Sequence, residues 1–428
     1  MPRITGASRT GAAKWAAGLL VVPLVLLTGC SSGGGNGGSS GGGGTTGGSG
    51  GDGKGGKAAP AALSIAPADG AKAVETDGAL TVSATAGKVT SVTVTDPKGK
   101  AIEGATSPDG TKWTPKIPLE NATKYSVAAK AANADGAEVT ANSSFTTISA
   151  DKTFEYSYRP DTDDGGKLGV GTIISIKFNK AIKDKAAVEK HLSVTAEPAV
   201  EGSWSWLEDL DGSMRVDYRP KEYWKPGTKV TWRADLDGAK SGDGTYGTQN
   251  RGGEFTIGDS IVATADLADK HMAVKKNGEV LYDLPISAGS SENPTWTGTM
   301  VVMDKVDGID MNSETVGLGT AYNMKAVRYA VHLTTSGTYT HAAPWNDGKF
   351  GKVNGSHGCV GMSTEDAGKF FKAVGFGDVV EVINGTEKKV KAGNGFGGWS
   401  VDWDTWVKGS ALNAAGPAGA PSAAPAAQ

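Results

Sequence analysis

Short runs of alternating apolar and polar residues fill the chain between positions 58 and 258. Clear examples are residues 79–83, 172–178 and 228–232, and turn-forming Gly, Pro or Asp residues separate such runs. A period of two is typical of strands that bury one face. The spacing of the runs predicts two β-sandwiches, at 58–150 and 151–258.

The second predicted sandwich is rich in tryptophan. Aromatic clusters can bind glycans by stacking, but tryptophans at alternate strand positions are more typical of core or interdomain packing, which we favour. His191 follows a short helical stretch at 185–190 and is predicted to be a surface residue. The tryptophans concerned are Trp204, Trp206, Trp224 and Trp232.

The pattern changes at residue 259 and predicts a third domain at 259–384. The pair Asn277-Gly278 predicts a hairpin turn. Apolar residues spaced i, i+3, i+4 and i+7 within 363–375 predict a helix with a capping box at its start and Gly375 after its end. The apolar residues in 378–383 predict a core strand. The stretch 304–319 is polar and contains glycines, and it predicts a mobile loop.

The N-terminal segment 1–29 has three positive charges, no acidic residue and then an apolar run. This arrangement predicts a secretory signal peptide, since the run is shorter than the roughly 20 residues of a membrane-spanning helix. The run ends in Leu27-Thr28-Gly29-Cys30, which resembles the lipobox of bacterial lipoproteins and implies a lipid on Cys30. Residues 30–57 are nearly all Gly and Ser and predict a flexible linker.

The composition of the 428 residues narrows the function classes. The formal net charge is −3, so nothing in the overall charge supports nucleic-acid binding. The Ala/Pro-rich tail at 410–428 predicts disorder. The chain has two cysteines, Cys30 and Cys359, and lipidation of the first would leave the second as a free thiol.

Cys359 stands in the sequence Ser356-His357-Gly358-Cys359, and His341 lies eighteen positions before it. A thiol of ordinary pKa is only a few per cent ionised at neutral pH, so a nucleophilic cysteine needs a base such as His341 or His357. A zinc site is the other interpretation of His with Cys, but too few ligands stand at metal spacing. We therefore predict a cysteine nucleophile and no metal.

Residues 259–384 resemble the catalytic domain of the L,D-transpeptidases (YkuD-type), whose signature is a His followed, after a gap, by Ser/Thr-His-Gly-Cys. The chain as a whole resembles actinobacterial lipoproteins with two immunoglobulin-like domains before the catalytic one. The segment 385–409 is similar to the C-terminal aromatic subdomain of that group. The fold implied is mainly β: two immunoglobulin-like β-sandwiches, a β-rich YkuD-type domain with few helices, and a short C-terminal subdomain.

The resemblance also implies a reaction. Cys359 would attack the third residue of a peptidoglycan tetrapeptide stem and expel D-alanine, and the acyl group would pass to the diaminopimelate amine of an acceptor stem, giving a 3→3 cross-link. His341 would be the base, oriented by a backbone carbonyl near Ala342. His357 would have a structural or polarising role, and the amides of Gly358 and Cys359 would stabilise the oxyanion.

The resemblance further implies substrate contacts. Tyr322 matches the lid tyrosine of the family, within the lid stretch 304–322. Ser336-Gly337 matches the segment that lines the substrate groove, and Ser356 belongs to the signature. Gly361 departs from the family, in which Asn is common at this position, so that an amide contact to substrate would be missing. No cofactor is implied, and we expect a monomer.

Two other functions stay open on the residues alone. An L,D-carboxypeptidase would use water in place of the acceptor amine on the same acyl-enzyme. A non-catalytic cell-wall-binding lipoprotein would have a vestigial Cys359. In each case we expect a location outside the cytoplasm, with Cys30 anchored to the outer face of the cell membrane and the domains reaching into the cell wall.

Overall fold

The computed structural model describes residues 57–161, 166–386 and 388–413. The predicted signal peptide, Cys30 and all of the linker except Lys57 lie outside the described residues, as does most of the predicted tail. The described residues are mainly strands, which confirms the predicted fold class. No described helix has both the length and the apolar composition needed to cross a bilayer.

The first sandwich packs two four-stranded sheets face to face, with strand orders β1-β3-β6-β5 and β2-β8-β7-β4. In β7 every second side chain, from Tyr125 to Ala131, is buried, because the sheet turns one face to the core. The strands are β1 (Ala62–Ala66), β2 (Ala71–Val74), β3 (Thr81–Thr85), β4 (Lys88–Thr95), β5 (Gly104–Thr106), β6 (Lys112–Pro115), β7 (Lys124–Ala132) and β8 (Glu138–Thr147).

The second sandwich has the sheets β10-β12-β15-β14 and β11-β18-β16-β13, with a small parallel pair of β9 and β17. Its four tryptophans are between 1 % and 8 % exposed and lie in the core, which confirms the packing interpretation. The elements are β9 (Lys152–Phe154), β10 (Tyr156–Arg159), β11 (Lys167–Leu168), β12 (Ile174–Phe178), α1 (Lys185–Glu189), β13 (Leu192–Glu197), β14 (Gly202–Glu208), β15 (Met214–Pro220), β16 (Lys229–Asp235), β17 (Thr245–Gly247) and β18 (Asn250–Ile257).

The junction between the sandwiches corrects the prediction for His191. Its side chain is only 9 % exposed, and its Nε2 lies 3.3 Å from the Asp77 carboxylate of the first sandwich. Lys190 pairs with the same carboxylate at 2.6 Å. The surface prediction was wrong because the contact joins residues 114 positions apart, which local sequence does not reveal.

The third domain contains the sheets β21-β20-β19-β29-β22 and β23-β26-β27-β28 and the hairpin β24-β25. Short 3₁₀ helices span Ser313–Val316, Pro344–Asn346 and Gly397–Ser400. The other elements are β19 (Ile261–Asp266), β20 (His271–Lys276), β21 (Glu279–Pro285), β22 (Gly298–Val301), β23 (Asp304–Val306), β24 (Ile309–Asn312), β25 (Asn323–Val327), β26 (Ala330–His332), β27 (Tyr339–Ala342), β28 (Val360–Met362), α2 (Thr364–Ala373), β29 (Val379–Ile383) and α3 (Trp403–Lys408).

Short sequence motifs in the third domain predicted the start of a helix and a hairpin turn correctly. Ser363 caps α2 by accepting a hydrogen bond from the amide of Asp366 at 3.1 Å, which confirms the predicted helix start. Asn277 and Gly278 both have positive φ and join β20 to β21, which confirms the hairpin. The prediction of a loop at 304–319 was wrong in part, because β23 and β24 give much of this stretch regular structure.

The C-terminal subdomain fastens the third domain to the second sandwich. The guanidinium of Arg219, on β15, lies 4.7 to 5.2 Å from the rings of Trp399, Trp403 and Trp406. Trp406 is 1 % exposed and donates its indole hydrogen to Ser203 O at 3.0 Å. A desolvated cation between aromatic rings contributes about 2 kcal/mol per favourable contact. Ser400 of the same subdomain bonds the backbone of Thr299 in β22, so the subdomain joins the third domain to the second sandwich.

Candidate active site

Two adjacent strands bring Cys359 and His341 together. Strands β27 and β28 pair in parallel with His341 opposite Gly361, and Cys359 immediately precedes β28. Helix α2 follows β28 and packs on the sheet through Ala367 and Phe370, so the strand end that carries the thiol is held from behind. Both reactive side chains face one cavity of about 230 Å³.

The imidazole of His341 is held in one tautomer. Its Nδ1 lies 2.8 Å from Ala342 O, and because a carbonyl can only accept, Nδ1 carries the hydrogen. Nε2 is therefore the acceptor, which suits it to take a proton. The side chain is 4 % exposed, and the ring of Trp345 stacks at 5.7 Å between centroids. The structure thus places the orienting carbonyl where the family resemblance implied it.

The surroundings of the thiol and of the imidazole favour the neutral form of each. Burial raises the pKa of Cys359 to about 11, although the backbone amide of Tyr339 partly opposes this shift. Burial also lowers the pKa of His341, against the smaller opposite effect of the Ala342 contact. The thiol Sγ lies 3.7 Å from Gly337 O, an acceptor that suits S–H rather than thiolate. Deprotonation therefore has to accompany nucleophilic attack.

A tight turn at 356–359 presents the thiol. Ser356 Oγ donates to Cys359 O at 2.5 Å and accepts from the Gly358 amide at 3.1 Å. Gly358 has φ of +122°, which side chains rarely tolerate. The predicted use of the Gly358 amide at an oxyanion needs correction, because Ser356 already occupies it. In the described chain the amides of His357 and Cys359 meet no acceptor, so they are the donors available to a substrate oxygen.

A second cavity lies near the thiol, beside Gly337 and Gly358. It measures about 200 Å³, and it shares Tyr322 and His357 with the first. We call the first the histidine cavity, lined by Met311, Tyr322, Met324, His341, Ala343, Trp345, Asn346, Gly355, Ser356, His357, Cys359 and Gly361. We call the second the lysine cavity, lined by Glu292, Asn293, Pro294, Trp296, Val316, Leu318, Tyr322, Ser336, Gly337, Thr338, His357, Gly358 and Lys388.

The hairpin β24-β25 and the segment between its strands, which contain most of the predicted lid, line both cavities. Tyr322 packs its ring on that of His357, with centroids 5.2 Å apart, and so lies where the two cavities meet. Val316 lies so close to Gly337 that a Cβ on this glycine would be 2.4 Å from the valine Cγ1. The absence of a side chain at 337 therefore lets the lid close on the residue whose carbonyl contacts the thiol.

The turn at Ser336-Gly337 depends on a residue that sequence reasoning missed. Asn394 is 3 % exposed, accepts from the Ser336 amide at 2.9 Å and donates to Ser336 Oγ at 2.8 Å. It stands 58 positions further along the chain, in the C-terminal subdomain, and no local motif marks it. The subdomain thus supports one wall of the lysine cavity as well as the domain junction.

Steric crowding explains why position 361 is a glycine in this chain. A Cβ at this position would lie 2.9 Å from the Cβ of Ala343, closer than real contacts allow. Both backbone groups of Gly361 are also bonded to Ser287 at 2.9 Å, which prevents the strand from shifting. Position 361 therefore contributes backbone only to the histidine cavity.

Among the described residues there is no group of three or more His, Cys, Asp or Glu side chains arranged to hold a metal ion. Within the same residues Cys359 forms no disulfide.

Comparison with known proteins agrees with this geometry. Residues 71–240 match a family described as bacterial Ig domain, and residues 260–382 match the L,D-transpeptidase catalytic domain. The chain is 35% identical over 353 residues to L,D-transpeptidase 2 of Mycobacterium tuberculosis, covering 82% of this chain and 85% of that protein. This chain belongs to the L,D-transpeptidase family. The resemblance stated from the sequence is confirmed.

Other L,D-transpeptidases give similar matches. L,D-transpeptidase 5 of Mycobacterium tuberculosis is 35% identical over 353 residues, covering 82% of this chain and 77% of that protein. The structure of the L,D-transpeptidase LdtMt1 in complex with imipenem is 31% identical over 53% of this chain and 97% of its own, with a TM-score of 0.45. An L,D-transpeptidase from Mycobacterium smegmatis is 26% identical over 54% and 99%, with a TM-score of 0.43.

Proposed function

We propose that this L,D-transpeptidase forms 3→3 cross-links between peptidoglycan stem peptides through an acyl-enzyme on Cys359. The observation that carries the proposal is that Cys359 and an imidazole of fixed tautomer line one cavity, while a second cavity lies beside the neighbouring Gly358. Acyl transfer between two peptides requires a nucleophile, one base and room for two substrates. The site supplies all three.

In the first half of the reaction His341 Nε2 takes the thiol proton while Sγ attacks the carbonyl carbon of the third stem residue. The amide of Cys359, which has no acceptor in the described chain, donates to the oxyanion. The C–N bond then breaks, and the imidazolium gives its proton to the departing nitrogen of D-alanine. A thioester and free D-alanine result.

In the second half the diaminopimelate amine of another stem attacks the thioester carbon. His341 accepts the amine proton, the C–S bond breaks, and the proton returns to Sγ. A mutant that keeps the thiol but lacks the imidazole would have no group to relay either proton. The neutral forms that the surroundings favour suit this cycle, because it ends in the same protonation state in which it began.

The two cavities can be assigned from the path of the proton. The departing nitrogen and the incoming amine both exchange a proton with His341, so by microscopic reversibility they occupy the same side of the carbonyl. That side is the histidine cavity, which contains His341. The acyl chain of the donor then extends into the lysine cavity, beside Gly337 and Gly358. Water in place of the amine would give the carboxypeptidase reaction.

We further propose that Cys30 carries a lipid that holds the enzyme, as a monomer, at the outer face of the cell membrane. The support is the apolar run before Leu27-Thr28-Gly29-Cys30 and the Gly/Ser-rich segment after it. Fractionation of cells that express Cys30→Ala tests the anchor. We expect the variant in the medium, and retention in the membrane would contradict it.

Purified protein with tetrapeptide muropeptides tests the reaction. Mass spectrometry should detect dimers linked 3→3 together with released D-alanine, and Cys359→Ala should form neither. Tripeptides without dimers would establish the carboxypeptidase instead. Incubation with imipenem followed by intact-mass measurement should give one adduct on Cys359, slowed by His341→Ala, and the absence of any adduct would favour a non-catalytic role.

A further inference from the structure

The histidine cavity contains a buried carboxamide that the reaction described above does not use. Asn346 ends the 3₁₀ helix Pro344–Asn346, four residues after the strand that carries His341. It is 6 % exposed, and its side chain forms no hydrogen bond with any described residue. Asn346 lines the cavity, and its side-chain nitrogen and oxygen keep some accessible surface. Burial without a partner is costly unless a ligand supplies one.

The backbone around Asn346 is fixed, so the amide has a defined place. The Asn346 amide donates to Ala343 O at 2.8 Å, and its carbonyl accepts from Lys349 at 3.0 Å. The Ala343 amide in turn donates to Met362 O at 2.9 Å, on the strand that follows the thiol. The backbone that carries the carboxamide is therefore held relative to both His341 and Cys359.

Among the described residues, the cavity has no charged carboxylate, ammonium or guanidinium group to bind a polar substrate group. The described residues that line it include no Lys, Arg, Asp or Glu. Gly361 adds no side chain, and the methyl group of Ala343 excludes one. Asn346 is thus the side-chain amide that the histidine cavity offers to a substrate.

The two groups that occupy this cavity in turn have the same chemistry. On the proposed function, the departing D-alanine has its nitrogen on a D-configured carbon that also bears a carboxyl group. The acceptor amine of diaminopimelate is likewise on a D-configured carbon that bears a carboxyl group. A single polar group beside His341 could therefore bind both, in the first and in the second half of the reaction.

We propose that Asn346 is the specificity residue of the acceptor subsite, where its side-chain N–H donates to the carboxyl oxygen on the D-configured carbon next to the reacting nitrogen. This inference rests on the proposed function. It explains how the enzyme would select an amine that bears a neighbouring carboxyl group over simple amines and over water. The hydrogen bond would also align the amine nitrogen with the thioester carbon.

The test uses acceptors that differ only in the carboxyl group. The protein is acylated with a tetrapeptide donor and offered D-methionine or 3-(methylthio)propylamine, the same amine without its carboxyl group. Wild type should favour D-methionine. Asn346→Ala should lower kcat/KM for D-methionine about 10-fold, mainly through KM, and leave the simple amine unchanged. Asn346→Asp, of the same size, should lower it further by repelling the carboxylate.

The outcomes distinguish a failure of the role of Asn346 from a failure of the proposed transpeptidase function. Equal loss with both acceptors, or no loss with either, would overturn the role of Asn346 while leaving the transpeptidase intact. Failure of the wild type to transfer its acyl group to any amine would instead refute the proposed function. Melting temperature and alkylation of Cys359 by iodoacetamide identify a variant that is misfolded. If Asn346→Ala fails to fold, Asn346→Asp alone decides, because it keeps the shape of the side chain.

Discussion

The histidine cavity and the lysine cavity share Tyr322 and His357 but differ in chemistry. The first has no charged Lys, Arg, Asp or Glu side chain among its described residues. Its walls are made by the hairpin β24-β25, the strands β27 and β28 and the segments that flank these two strands. The second carries Glu292 and Lys388, and its wall at Ser336-Gly337 is held by the C-terminal subdomain. On the proposed function, the chemistry and the choice of acceptor belong to the histidine cavity and donor binding belongs to the lysine cavity. Mutations should therefore be able to change one cavity without changing the function of the other.

The largest effect is expected from removing His341, the base that both half-reactions use. His341→Ala should lower the rates of acylation and of transfer by about 100-fold or more, since a general base contributes 10²–10⁴. The matched control is His271→Ala, an exposed histidine on β20. Stopped assays that follow acyl-enzyme and dimer separately measure both rates. A loss confined to one half-reaction would break the assignment of a single proton relay.

The next effect concerns the reactivity of the Cys359 thiol in the histidine cavity. Because burial raises the pKa of Cys359 to about 11, its thiolate fraction at pH 8 should be about 100-fold below that of an exposed thiol. In a Cys30→Ala background, iodoacetamide labelling should stay slow until the pH approaches this value. The same chain in denaturant is the control and should label near pH 9.

The acid limb of the pH profile of acylation depends on His341. The lowered pKa of His341 keeps the imidazole neutral, and hence basic, below its ordinary value of 6.5. Acylation by the tetrapeptide should therefore persist as the pH falls through 6.5 and decline only below it. A decline centred above 6.5 would show that a different group acts as the base.

A smaller effect should be confined to the lysine cavity. Asn394→Ala removes both hydrogen bonds to Ser336 and should cost about 1–3 kcal/mol of unfolding free energy. We expect kcat/KM for the donor to fall about 10-fold, while the preference among acceptors is kept. Asn142→Ala, at an exposed position of β8, serves as the control. A changed acceptor preference would mean that the two cavities are not independent.

The smallest effect should come from the charge at the mouth of the lysine cavity. The ammonium of Lys388 lies 4.4 Å from the centre of the Trp296 ring and 3.3 Å from Pro294 O. Lys388→Ala should raise the donor KM about 3-fold at low salt and less at high salt, because exposed charges are screened. Lys389→Ala, the exposed neighbour outside the cavity, should have no effect in the same titration.

Some features of the site could be predicted because they are local in sequence. The turn at 356–359, the cap at Ser363 and the hairpin at 277–278 each depend on residues within a few positions. The correction at Gly358 is instructive. The sequence indicated that the turn would present amides, but only the three-dimensional structure shows that Ser356 accepts from one of them.

The sequence by itself determined the fold class, the reactive thiol and the family, because strand periodicity and a contiguous motif are written in neighbouring residues. Tertiary structure alone decided which groups surround that thiol. Asn394 reaches Ser336 across 58 positions, and Asn346 shares a cavity with Gly361 through the parallel pairing of β27 and β28. Such contacts depend on how sheets and subdomains pack, and no periodicity along the chain encodes them.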